Sequence, residues 1–169
     1  MGYTTEFVGK LELNYKDNDK MHKSITLING LSKTRRVKRD LNRISELLDK
    51  PVEEYGYEGE FYYDENDFSN FGQSKDISII SSNQPPSNQP GLWLGWVISE
   101  SDGIYYLEWD GAEKFYYYIQ WLEYLINNIF NKNGILLNGD IKWFGEDRED
   151  IGVISVTDNN VEILSNIKG

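Results

Sequence analysis

Apolar and polar residues alternate near the start of the chain. Phe7, Leu11 and Leu13 are set among Glu6, Glu12 and other polar positions, which predicts a strand over Tyr3–Tyr15. Lys16–Lys23 reads as a polar turn. From Ser24 to Leu48 the period changes: Leu27, Ile28 and Leu31, then Leu41, Ile44, Leu47 and Leu48, fall at helical spacing. Asn29-Gly30 and the run Thr34–Arg39 divide this helical segment, and Pro51 ends it by forcing the preceding residue out of helical geometry. Val52–Gln89 shows no sustained period, and its tail, Ser81–Pro90, is a Ser/Asn/Gln/Pro run expected to form an exposed or disordered loop.

Beyond Gly91 the pattern sharpens. Leu92–Ser99 and Ile104–Trp109 flank Asp102-Gly103 and predict a hairpin. Asp110 is expected to cap a helix over Ala112–Asn131, whose stripe is Phe115, Ile119, Leu122, Leu125 or Ile126, and Ile129. Gly134 supplies a left-handed stop. Ile135–Phe144, Gly152–Thr157 and Val161–Leu164 complete the strands, with a turn at Asp158-Asn159-Asn160. The expected fold class is α+β: a mostly antiparallel sheet packed against one long helix at about 112–131, plus an N-terminal helical segment. One domain over 1–169 is expected, with an irregular loop or insertion at about 64–90.

Composition narrows the class. Aromatics make up 14 % of the chain, too many for a disordered acidic polypeptide, so the chain should fold. It has no cysteine, which excludes disulfides, thiol nucleophiles and thiolate metal sites. Met1–Gly9 lacks the pattern of a signal peptide, and Phe115–Phe130 is too short and polar to span a bilayer. A cytoplasmic location in a host cell, without membrane association, is the expectation.

Charge is distributed unevenly. The formal net charge is -11, yet residues 1–50 hold 11 Lys+Arg against 7 Asp+Glu, whereas residues 51–169 hold 6 against 21. The basic excess centres on Thr34, Arg35, Arg36, Lys38 and Arg39. In a helix, Arg35 and Arg39 would share a face, and the arginine fork suits bidentate phosphate recognition. Tyr57, Phe61 and Tyr117 are the rings chosen for stacking a base. The competing reading makes the knot a set of surface cations that offset the acidic second half.

Other chemistry is weaker. Glu146–Asp150 is a carboxylate run without calcium-loop spacing, so a solvated turn is favoured. His22 is the only histidine and has no partner at metal or triad spacing. Gly56-Tyr57-Glu58-Gly59 lacks the lysine of a phosphate loop. A hydrolase built on Asp110, Glu113 and Glu146 would need those acids brought together. No catalytic residue, metal or cofactor is therefore expected.

Longer motifs point to kinship. They are Pro90-Gly91-Leu92-Trp93 with Trp96, Leu107-Glu108-Trp109-Asp110-Gly111-Ala112-Glu113-Lys114-Phe115-Tyr116, Trp121-Leu122-Glu123-Tyr124-Leu125-Ile126, and Leu137-Asn138-Gly139-Asp140-Ile141-Lys142-Trp143 with Gly145-Glu146-Asp147. With Gly2–Phe7, Thr34–Arg39 and Gly59-Glu60-Phe61, they make the chain resemble a widespread family of small uncharacterised proteins of bacteriophages and bacteria. The resemblance implies a phage or prophage origin and brings no activity with it. The expected function is a non-enzymatic binding protein that sequesters or senses a nucleotide-like, phosphate-bearing ligand in host-defence antagonism. The alternative is an acidic interaction module or nucleic-acid mimic directed at a basic host protein.

Overall fold

Six strands and the helices that cover one side of them are built from the alternation just described, in a computed structural model that describes residues 2–43, 52–63, 79–81 and 83–165. The strands are β1 (Thr5–Asn14), β4 (Trp96–Ser101), β5 (Ile104–Trp109), β6 (Leu136–Gly145), β7 (Ile151–Thr157) and β8 (Asn160–Ser165). They form one sheet in the order β4-β5-β1-β6-β7-β8, every pair antiparallel. A second, two-stranded sheet pairs β2 (Lys38–Arg39) with β3 (Ile79–Ser81). The α+β class follows directly.

The chain divides into two compact units, residues 1–26 with 95–169, and residues 27–94. The boundary falls within helix α1 (Asn18–Lys33).

In the first unit, period-two burial sorts the sheet into two unlike faces. Phe7, Leu11 and Leu13 of β1, Ile141 and Trp143 of β6, and Ile154 and Val156 of β7 are buried on one face. The neighbouring positions Glu6, Val8, Lys10 and Asn14 are exposed on the other. Gly9 and Gly139 hold φ of 108° and 142° where β1 and β6 meet, and a Cβ on Gly9 would lie 2.5 Å from the Asp140 carbonyl oxygen. The buried face is rich in rings: Phe7 meets Tyr118 at 4.9 Å and Trp96 at 5.2 Å, both edge-on.

The covering helix differs from the expected one. It starts at Tyr118, running as α2 (Tyr118–Leu125), a π-helical turn (Ile126–Phe130) and a 3₁₀ turn (Asn131–Asn133) before Gly134 at φ 67°. Asp110 does not cap it. Its Oδ1 accepts the Ala112 amide at 2.9 Å in a local turn. Positive φ at Gly111, Lys114 and Tyr117 keeps residues 111–117 out of helical geometry. Phe115 is buried all the same, with its ring packed over Gly95, where a Cβ would lie 2.4 Å away.

The first helix also differs, starting earlier than its apolar spacing suggests. Asp17 Oδ1 accepts the amides of Asp19 and Lys20 at 2.9 and 3.1 Å, capping α1 inside the stretch expected to be a turn. The helix runs on through Gly30, where the missing side chain admits the Tyr63 ring. It ends at Lys33. The second half of the predicted helical segment, beyond Arg43, lies outside the described residues until Val52.

Candidate functional site

The basic knot lies in the second unit and is not helical, so Arg35 and Arg39 do not share a helix face. After Lys33 the chain is extended. The Arg36 amide donates to the Leu92 carbonyl at 2.7 Å and the Lys38 amide to the Gln84 carbonyl at 2.9 Å. The Lys38 bond ties the knot to a run that composition alone marks as a loose loop. Gln89 and Pro86 of that run are buried.

Arg36 is the reason for this geometry. Its side chain is fully buried. Nη2 donates to the carbonyls of Tyr62 (2.7 Å), Gly59 (3.2 Å) and Glu60 (3.5 Å), Nη1 to Thr34 (3.5 Å), and Nε to Gln89 Oε1 (3.3 Å). A guanidinium offers five donors in a fixed fork, so a single side chain satisfies carbonyls from three separate segments. Gln89 closes the ring by donating to the Glu60 carbonyl at 2.6 Å. The Glu60 carboxylate accepts the Tyr57 amide at 3.1 Å and Asn88 Nδ2 at 2.7 Å. The hub is fully polar and built from sequence-distant pieces.

The other members of the knot divide between interior and surface. The Thr34 hydroxyl is buried and donates to the Gly30 carbonyl at 3.1 Å. Arg39 is buried with its guanidinium 4.2 Å from the centre of the Tyr62 ring. Lys38 is half-buried. Burial tends to raise the nearby Glu58 carboxyl, but hydrogen bonds from Ser87 and the Lys38 charge outweigh it and hold it below its usual range. Arg35 is half-buried and lies 6.0 Å from the ring centre of Trp93, which is 37 % exposed. Tyr57 is exposed and Phe61 half-buried in the same unit. Tyr117 belongs to the other unit, at φ 60° and 56 % exposed.

Of the basic knot, Thr34, Arg36 and Arg39 are thus buried, while Arg35 and Lys38 are half-buried. Glu60 and Trp93 stand out in the sequence only within the kinship motifs, and Gln89 and Asn88 only within the Ser/Asn/Gln/Pro run. Gln89 carries no signal within a Ser/Asn/Gln/Pro run, whereas an aromatic two residues after Pro-Gly could have flagged Trp93.

The first unit offers a different surface. Among the described residues, none on the sheet face opposite the core is buried. It carries Glu6, Glu12, Glu108, Asp140 and Glu162 against only Lys10 and Lys142, with Val8, Phe144 and Leu164 exposed between them. Lys10 Nζ sits 4.0 Å from the Tyr106 ring centre.

The carboxylate run at the β6–β7 turn has structural partners. Asp150 accepts the Tyr3 hydroxyl at 2.7 Å and Trp143 Nε1 at 2.9 Å, and Glu146 accepts the Thr4 amide. Among the described residues no group of three or more acids or histidines could hold a metal ion. Burial, with Asp150 and Tyr3 nearby, pushes the Tyr118 hydroxyl up to about 12. Burial also raises the Asp110 carboxyl, against an opposing bond from the Ala112 amide. No described helix is long and apolar enough to cross a membrane. No family model matches the chain, and neither does any curated protein or solved structure.

Proposed function

We propose that this is a non-enzymatic binding protein of phage or prophage kinship, and that its acidic first unit engages a basic surface on a host protein as a nucleic-acid mimic does. The kinship rests on the sequence motifs alone. The observation that carries the function is the open sheet face, with five carboxylates against two lysines and, among the described residues, none buried. The unit's residues hold 9 Lys+Arg against 17 Asp+Glu, a net of -8, so the field around the face is negative as well. Charge complementarity of this kind steers association and selects basic partners. The knot weakens the rival reading, because Arg36 and Arg39 are engaged inside their own unit.

Competition tests the proposal. Basic nucleic-acid-binding proteins of the host, loaded on immobilised duplex DNA, should be released by the chain at low salt and retained at high salt. Failure to displace any of them at low salt would refute it.

A second reading has its own support. The half-buried Arg35 beside a partly exposed Trp93 ring could hold a phosphate-bearing, nucleotide-like ligand, with Lys38 and Tyr57 in the same unit. Isothermal titration against linear and cyclic nucleotides, repeated with Arg35→Ala, tests it. No heat with the unaltered chain would end it.

A further inference from the structure

We infer that the acidic unit takes its protein partner as an added strand along β8, and that the partner's segment is extended and basic with an apolar anchor. The inference rests on the interaction-module reading and names the place and chemistry of docking. β8 is a sheet edge, paired only with β7 among the described residues. Its sequence, Asn160-Val161-Glu162-Ile163-Leu164-Ser165, contains neither lysine nor proline, the residues that usually protect an edge. The opposite edge, β4, differs in that Trp96 and Ile98 are buried, whereas no residue of β8 is.

Two further features mark the β8 end. A shallow recess of about 300 Å³ opens on the sheet there, lined by Phe144, Ile151, Val153 and Leu164 together with Lys142. The register explains it: Phe144 pairs with Ile151, Lys142 with Val153, and Val153 with Leu164, which puts these side chains in adjacent rows of one face. Carboxylates flank the recess: Glu6 lies opposite Phe144 in one of its rows, and Glu162 and Asp140 lie in the next row, on either side of Ser155. A strand laid along β8 gains backbone hydrogen bonds, seats an apolar side chain beside Leu164 and meets Glu162 with a cation. A second copy of the chain fits less well. A net charge of -11 repels it, and pairing β8 with itself about Glu162 sets like charges opposite each other.

The test uses the full chain labelled for NMR and a short blocked peptide alternating lysine with valine or leucine. The expected result is slowed amide exchange over Asn160–Ser165 with shifts at Phe144, Val153 and Leu164. Affinity should fall at high salt and drop roughly tenfold or more in Leu164→Glu, whose side chain is 53 % exposed. Binding that survives Leu164→Glu and shifts other residues overturns the docking site but leaves the interaction reading standing. No low-salt binding of this peptide or of polylysine overturns both. β8 protection that appears without peptide and tracks dimer mass makes a second copy the occupant and refutes the inference.

Discussion

Arg36 Nη2 and the Tyr62 carbonyl oxygen are 2.7 Å apart, although 26 positions separate the two residues in the chain. This bond and others from the same guanidinium tie Arg36 to residues 59–62 and to Gln89. The unit also buries Ile28, Leu31, Val37 and Leu94, and Arg36 adds a buried charge to them; each carbonyl it reaches would otherwise be a desolvated acceptor.

Arg36→Met should therefore leave several carbonyls unsatisfied and cost on the order of 3 kcal/mol or more. Arg36→Lys should rescue little, since one ammonium cannot span acceptors arranged for a planar fork. Hydrogen exchange is the measurement. Amides over Tyr55–Tyr62 should exchange faster in both variants while those of β1 and β6 keep their protection. Unchanged exchange over Tyr55–Tyr62 would contradict the role assigned to Arg36.

Asn159 performs a similar task in the first unit. At φ 71° in the β7–β8 turn, its Oδ1 accepts the Leu137 amide at 2.6 Å, and its Nδ2 donates to Asn131 Oδ1 and the Ile135 carbonyl, each at 2.8 Å. Asn159→Gly keeps the backbone at ease and removes only these bonds, whereas Asn159→Ala also strains the turn. Denaturant unfolding should show a loss of about 1–3 kcal/mol for the glycine variant and more for alanine.

Tyr118 gives stability a pH dependence at the alkaline end. Its hydroxyl keeps its proton in the fold up to about 12, against 10.0 ordinarily, because burial and the nearby Asp150 disfavour the anion. The folded state thus holds a proton that the unfolded chain loses first, so stability falls as pH rises from about 10 to about 12. Below that window Tyr118 contributes no slope. Denaturation midpoints across pH 9 to 12 should decline less steeply in Tyr118→Phe than in the unaltered chain, while equal slopes would contradict the assignment.

Much of the first unit was legible in the chain because its signals are local. Alternation in β1 and β6, the Asp102-Gly103 hairpin, the Asp158-Asn159 turn and the Gly134 stop each act within a few residues. The errors arose where a distant partner overrode local preference. Helical spacing includes Phe115, but the ring packs over Gly95 from a non-helical loop. Arg35 and Arg39 have helical separation, yet Arg36 is drawn to carbonyls 23 to 26 residues away and the chain straightens around it. The cationic knot was visible as a cluster of charge. Its direction, inward, depends on Gln89 and Glu60, which no spacing connects to it.

The central claim is that the knot builds the second unit while the open acidic face of the first does the binding. One affinity comparison tests it directly, using a basic nucleic-acid-binding protein as probe at low salt. A variant with Glu6→Gln, Asp140→Asn and Glu162→Gln, all exposed positions, should bind at least roughly tenfold more weakly. Arg35→Ala with Lys38→Ala should bind as the unaltered chain does. Retained binding by the neutralised face, or loss on removing the two cations, would contradict the account.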